Sequence, residues 1–124
     1  MIKHKDIIQV TIPRISPTLN RWQRMHFRLR KKEKNLWVQH FIIAIGRPKI
    51  VIEKCNIKIE RHACGVLPDV DNLYASAKPI LDALVDCNII VNDSPEHILN
   101  LDVESFSCGR LNQRTVITIS DINK

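Results

Sequence analysis

The chain has 124 residues, of which 44% are hydrophobic and 26% charged, and its formal net charge is +6. This size and composition predict one small globular domain with a modest core. No apolar run is long enough to span a bilayer, no signal-peptide pattern is present, and the four cysteines have neither zinc-ligand nor disulfide-framework spacing, so we expect a cytoplasmic protein that does not enter the membrane.

The first half of the chain predicts a strand, a helix and a longer strand. Residues 6–13 are rich in β-branched side chains, which is typical of a strand, and residues 16–20 have the composition of a turn, so we expect a loop there. Residues 26–45 space their apolar side chains in a way compatible with a helix. Residues 49–61 alternate between apolar and polar, and a break in phase near Lys54 indicates a bulge.

The second half predicts a helix followed by three strands. The helix covers residues 72–87, but an interior Pro79 weakens it and a first turn tolerates proline, so the helix is either continuous through Pro79 or begins near Ser76. The last two strands are expected to form a hairpin, and the three strands cover residues 89–91, 98–106 and 115–119. The predicted fold class is α/β of the mixed α+β kind: a mixed β-sheet with two main helices in a single compact domain, residues 1–124.

Charge is divided between the two halves. Residues 1–62 carry 15 Lys and Arg against 4 Asp and Glu, whereas residues 63–124 carry 4 against 9. A dense basic stretch attracts polyanions by releasing their counterions, although it can also be an ordinary solvated face. The candidate DNA-binding residues of the densest stretch are Arg21, Arg24, Arg28, Arg30, Lys31, Lys32 and Lys34.

Acidic residues gather around the second predicted helix. Asp69 and Asp71 stand two apart before it, Asp93 follows an apolar run, and Lys78 and Asp82 are one helical turn apart. Carboxylates on neighbouring elements can converge on a hard divalent cation such as Mg²⁺. The ordinary structural alternatives are that Asp71 caps a helix and that Lys78 and Asp82 form a surface ion pair. Beside a basic half, the combination predicts a metal-dependent enzyme acting on nucleic acid.

Together these residues resemble the RusA-like Holliday junction resolvases, small homodimeric endonucleases encoded largely by bacteriophages, prophages and their hosts. The family's Asp-x-Asp-Asn is similar to residues 69–72, its Lys-x-x-x-Asp-Ala-Leu to residues 78–84, and its Asp-Asp-Ser to residues 92–94. Residues 17–22 loosely resemble an early loop of the family, which has the form Pro-x-Ser-x-Asn-x-x-Tyr. The chain departs from the pattern in two places, because Lys78 follows the second aspartate by seven residues instead of four and Asn92 replaces the first aspartate of the pair.

The resemblance implies Mg²⁺-dependent hydrolysis of phosphodiesters at four-way DNA junctions, in recombination and repair. Mn²⁺ is expected to substitute, and no small-molecule cofactor beyond the metal is expected. The partners would be junction DNA and a second copy of the chain, each subunit of the homodimer nicking one strand. The setting would be the cytoplasm of a bacterial or phage-infected bacterial cell.

The resemblance also assigns roles to individual residues. The implied catalytic residues, of which the three aspartates would bind the metal, are Asp69, Asp71, Lys78 and Asp93. The implied supports behind them are Asn72, Asp82 and Asn92, and Asn20 would join the DNA-binding residues. Two other functions remain open: a non-catalytic junction-binding dimer whose site has decayed at Asn92, and a metal-dependent nuclease for flaps or duplex DNA.

Overall fold

A computed structural model describes residues 7–46 and 51–122, without the side chains of Leu19 and Asn20. Over these residues the chain forms the following elements: β1 (Ile7–Ile12), α1 (Leu19–Arg24), α2 (Phe27–Ile45), β2 (Cys55–Ala63), α3 (Val70–Ala75), α4 (Lys78–Asp86), β3 (Ile98–Ser107), a 3₁₀ turn (Arg110–Asn112) and β4 (Arg114–Asp121). The strands make one four-stranded sheet with helices packed on it. The predicted mixed α+β fold is therefore confirmed.

The sheet has the strand order β1-β4-β2-β3. β4 is antiparallel to both of its neighbours, and β2 is parallel to β3. The predicted hairpin between β3 and β4 is wrong, because β2 lies between them. The connection that holds the 3₁₀ turn crosses two interstrand spacings, which together are about 10 Å.

The two longest helices form the layer that covers one face of the sheet. α2 buries Glu33, Trp37 and Phe41, which are spaced by four residues and therefore share one face. α2 and α4 contact each other, and their apolar faces join the core strands around Ile57 and Ile117. The predicted helix at residues 26–45 is confirmed with one residue's difference at its start, where His26 is the N-cap.

The predicted helix at residues 72–87 is two helices. α3 ends at Ala75 and α4 begins at Lys78, so Pro79 lies in the first turn, where its missing N–H costs no hydrogen bond. Of the two alternatives left open by the sequence, the start near Ser76 is therefore the right one. The break separates Asp71 from the helix that carries Lys78.

Three further predictions differ from the structure. α1 begins at Leu19, within the segment predicted as a loop. Residues 47–50 lie outside the described residues, and the strand predicted over 49–61 begins only at Cys55, with its irregularity between Cys55 and Asn56 instead of near Lys54. Residues 89–91 form an isolated bridge from Ile90 and not a strand. Among the residues described, no helix combines the length and apolar character needed to cross a membrane.

Candidate active site

The N-terminus of α3 carries two of the predicted catalytic aspartates. Asp69 is the N-cap: its Oδ1 accepts hydrogen bonds from the backbone N of Asn72 at 2.9 Å and from Asn72 Nδ2 at 3.0 Å. Asp71 lies exposed in the first turn of the helix. Both positions favour a negative charge because free backbone N–H groups point out of a helix N-terminus. The sequence suggests helix capping as an alternative role for Asp71. In the structure Asp69 caps the helix instead.

A second group joins α4 to the loop that follows residue 91. Lys78 Nζ lies 3.1 Å from Asp82 Oδ1 and 3.4 Å from Asp93 Oδ2. Asn92 makes a local hydrogen bond, in which its Oδ1 accepts from the backbone N of Asp93 at 2.8 Å. The structure thus brings together Lys78, Asp82 and Asp93, which we call the lysine cluster.

The lysine cluster favours the protonated form of its lysine. The hydrogen bond from Lys78 to Asp82 raises the pKa of the ammonium, and the negative charges of Asp82 and Asp93 act in the same direction, while partial burial opposes them. The net effect is a pKa above the ordinary lysine value. Lys78 is therefore a persistent cation near neutral pH, suited to bind a phosphate oxygen and unsuited to accept a proton.

The three predicted metal ligands are not gathered into one group. Within residues 7–46 and 51–122, no set of three His, Cys, Asp or Glu side chains is arranged to hold a metal ion. The donor chemistry still fits Mg²⁺, which takes oxygen ligands and commonly uses one or two carboxylates together with substrate phosphates and water. Asp69, Asp71 and Asp93 are thus suitable ligands by type, and Lys78 is the cation that Asp93 contacts in this structure.

The predicted DNA-binding residues separate into exposed and engaged side chains. Arg30 is engaged, with Nε donating to the Trp22 carbonyl at 3.1 Å and its guanidinium 5.5 Å from the centre of the Trp22 ring. Lys34 is also engaged, since Nζ lies 2.9 Å from Asp86 Oδ2 on α4. The Asn20 side chain lies outside the described part of the structure. The exposed members are Arg21, Arg24, Arg28, Lys31 and Lys32.

The basic and acidic regions meet where α1 contacts α3. α1 carries Arg21 and Arg24, while α3 carries Asp71 in its first turn. Exposed cations of the first half of the chain therefore lie on a helix that packs directly against one with a candidate catalytic carboxylate.

Sequence reasoning missed a set of buried polar contacts behind this junction. Arg61 projects from the core-facing side of β2 and donates from Nε and Nη2 to the Ser16 carbonyl, at 3.4 and 3.3 Å. The Ser16 hydroxyl in turn donates to the carbonyl of Ser76, between α3 and α4. The sequence does contain an indication of this, because Arg61 occupies a core-facing position in the alternating pattern of the strand, between Ile59 and Ala63.

Comparison with known proteins gives no family for the chain. No protein-family model matches the sequence, and no similar sequence is found among curated proteins. Because a mixed α+β fold supports many activities, the fold alone does not identify the function.

Proposed function

We propose that the protein is a Mg²⁺-dependent, structure-specific endodeoxyribonuclease that resolves four-way DNA junctions as a homodimer. The observation that carries the proposal is the lysine cluster, in which Lys78 contacts Asp82 and Asp93 at 3.1 and 3.4 Å. A lysine ammonium near the scissile phosphate can stabilise the negative charge that develops during phosphodiester hydrolysis. The neighbouring basic helices supply a surface for a polyanion.

In this proposal Lys78 acts on the phosphate that is cleaved. Its ammonium donates to a non-bridging oxygen and stabilises the negative charge that grows there in the transition state. Asp82, one turn along α4, holds the ammonium in place and favours its protonated form. Mg²⁺, when bound by the aspartates, would supply an activated water and further charge neutralisation.

Binding of the junction is assigned to the exposed cations of α1 and α2. Phosphate contacts position a protein without reading bases, so specificity would come from the shape and flexibility of the four-armed DNA. A homodimer would present two such surfaces and two lysine clusters. One cluster per strand is what paired nicking requires.

A specific observation favours a second candidate, a junction-binding dimer without catalysis. Lys78 already neutralises Asp93, and Asp69 Oδ1 already accepts two hydrogen bonds that cap α3. Asn92 also occupies a position where the family that the sequence resembles has a carboxylate. Such a protein would bind junctions equally well with and without Mg²⁺ and would cut none of them.

The experiment that separates these functions compares three synthetic DNA substrates of equal strand length: a four-way junction, a flap and a linear duplex. Each is incubated with the protein in Mg²⁺, Mn²⁺, Ca²⁺ or EDTA, and binding and cleavage are measured on parallel gels. The proposed function predicts cleavage of the junction alone, in Mg²⁺ or Mn²⁺. Cleavage of flap or duplex at an equal rate would indicate a different nuclease, and tight junction binding without cleavage in any metal would indicate the non-catalytic dimer.

A further inference from the structure

A polar cavity opens between the loop after β1, helix α1 and strand β2. Its volume is about 550 Å³, and its charged lining consists of Arg14, Arg21, Arg61 and Glu33. Thr18 and Gln113 add neutral polar groups. A cavity of this size is within the range that holds small ligands.

The charges of the lining do not balance. Three guanidinium groups face one carboxylate, and that carboxylate is already fully engaged: Glu33 Oε1 lies 2.6 Å from Arg14 Nη2, while Oε2 accepts from Arg14 Nε at 3.2 Å and from Trp37 Nε1 at 3.0 Å. The Glu33 carboxylate is buried, while its partner Arg14 is 29% exposed. Glu33 therefore does not neutralise the positive charges of Arg21 and Arg61.

Arg61 is the informative member of this lining. It is partly buried, and its hydrogen bonds go to the neutral carbonyl of Ser16. Over the described part of the chain, no carboxylate lies within ion-pair distance of Arg61. Burial without an opposite charge lowers the pKa of its guanidinium. A partly desolvated cation that lacks a counterion is costly unless an anion supplies the missing charge.

We propose that this cavity binds a phosphate group of a nucleic-acid strand, with Arg61 and Arg21 as its cationic partners. A guanidinium matches the geometry of phosphate oxygens; because Arg61 Nε and Nη2 already donate to the Ser16 carbonyl, the Nη1–Nη2 edge is the one left to donate two parallel hydrogen bonds. The phosphate can be an internal phosphodiester or a terminal monoester. That the strand is nucleic acid rests on the proposed function, whereas the phosphate chemistry follows from the cavity.

The position of the cavity connects it to the lysine cluster. Ser16 contributes its carbonyl to Arg61 and its hydroxyl to the carbonyl of Ser76, which is two residues before Lys78. Ser16 and Ser76 are both buried, so the link does not depend on mobile surface groups. A phosphate in the cavity would therefore help to set the path of a strand toward Lys78.

The test measures binding by calorimetry in EDTA, so that it gives a result even if the protein has no nuclease activity. The probes are inorganic phosphate, a tetranucleotide with a 5′-phosphate and the same tetranucleotide without it. The variants are Arg61→Gln and Arg21→Gln. The matched control is Lys58→Gln, which removes one positive charge from the same strand, β2, on the opposite face of the sheet, where Lys58 pairs with Glu104 at 3.0 Å.

We expect each arginine variant to weaken binding of the phosphorylated tetranucleotide about tenfold or more, since charged hydrogen bonds are removed, and Lys58→Gln to leave it unchanged. A terminal-phosphate site binds inorganic phosphate and only the phosphorylated tetranucleotide, whereas a phosphodiester site binds both tetranucleotides alike; either result supports the proposal. If Arg61→Gln fails to fold, the binding measured for Arg21→Gln decides the test, because Arg21 is exposed and its replacement should not disturb folding. Absence of binding by all three probes, or equal weakening by Lys58→Gln, overturns the proposal.

Discussion

Replacing Asp93 by asparagine tests the lysine cluster with a change of one charge and almost no change in shape. Lys78 would lose a carboxylate at 3.4 Å and keep Asp82 at 3.1 Å. The ammonium remains held by α4, but the group that joins α4 to the loop after residue 91 loses its anion. We expect Asp93→Asn to abolish nicking of four-way junctions.

The expected magnitudes separate a catalytic role from a structural one. The Lys78 and Asp93 side chains are 58% and 29% exposed, so removing their ion pair should cost less than about 1 kcal/mol in the free energy of unfolding. Loss of a carboxylate that would bind Mg²⁺ removes the activated water and the charge neutralisation of the metal, so kcat should fall by about 100-fold or more. Junction affinity in Ca²⁺ should be unchanged or higher, because a negative charge near phosphate is removed.

Asp86→Asn is the matched control for this experiment. It removes the same charge from α4 and breaks an ion pair of 2.9 Å with Lys34, away from the lysine cluster. Single-turnover nicking of a synthetic junction, urea unfolding and gel shifts are measured for both variants. Full turnover by folded Asp93→Asn, or an equal loss of turnover in Asp86→Asn, would refute the role assigned to Asp93.

Three further predictions concern binding, pH and assembly. Neutralising three exposed cations of α2, through Arg28→Gln, Lys31→Gln and Lys32→Gln, should lower the slope of log affinity against log salt by about 0.9 for each DNA phosphate that the protein no longer neutralises; an unchanged slope would make this stretch a solvated face. Burial, aided by the charge of Asp121, raises the pKa of the Cys55 thiol from 9.0 to about 11. The unfolded thiol therefore loses its proton first, so the free energy of unfolding should fall between pH 9 and 11, less so in Cys55→Ala; equal falls measured by urea unfolding would contradict this. Light scattering should give a homodimer at assay concentrations, and a monomer would exclude paired nicking by two bound subunits.

Local chemistry made parts of the fold predictable. The apolar spacing of α2 and the first-turn preference of Pro79 act between residues a few positions apart, so they can be recognised in the sequence. Pairing between strands depends on the whole sheet. Nothing in the alternation of β3 or β4 shows that β2 inserts between them, which is why the expected hairpin was wrong.

The local part of the candidate site could also be predicted from the sequence, whereas its contacts between separate elements could not. Helical spacing places Lys78 and Asp82 together, and this ion pair is present. The ion pair of Lys78 with Asp93 crosses from α4 to a loop and was not predicted, because the resemblance implied only metal binding for Asp93. The role of Asp69 as N-cap, instead of Asp71, depends on where α3 begins, and element boundaries shift by a residue or two under tertiary contacts. The buried contacts of Arg61 were missed because they depend on a cavity formed by three separate segments.

The central claim, paired nicking of a four-way junction by a Mg²⁺-dependent dimer, is tested most directly with a supercoiled plasmid that extrudes a cruciform. Two coordinated nicks across the junction convert the plasmid to a linear form, whereas one nick relaxes the cruciform and leaves a nicked circle. We predict linear product in Mg²⁺ and none in EDTA, with the linear form appearing without a lag behind the nicked circle. A plasmid that stays supercoiled in Mg²⁺ while the protein binds it tightly would contradict the proposed function.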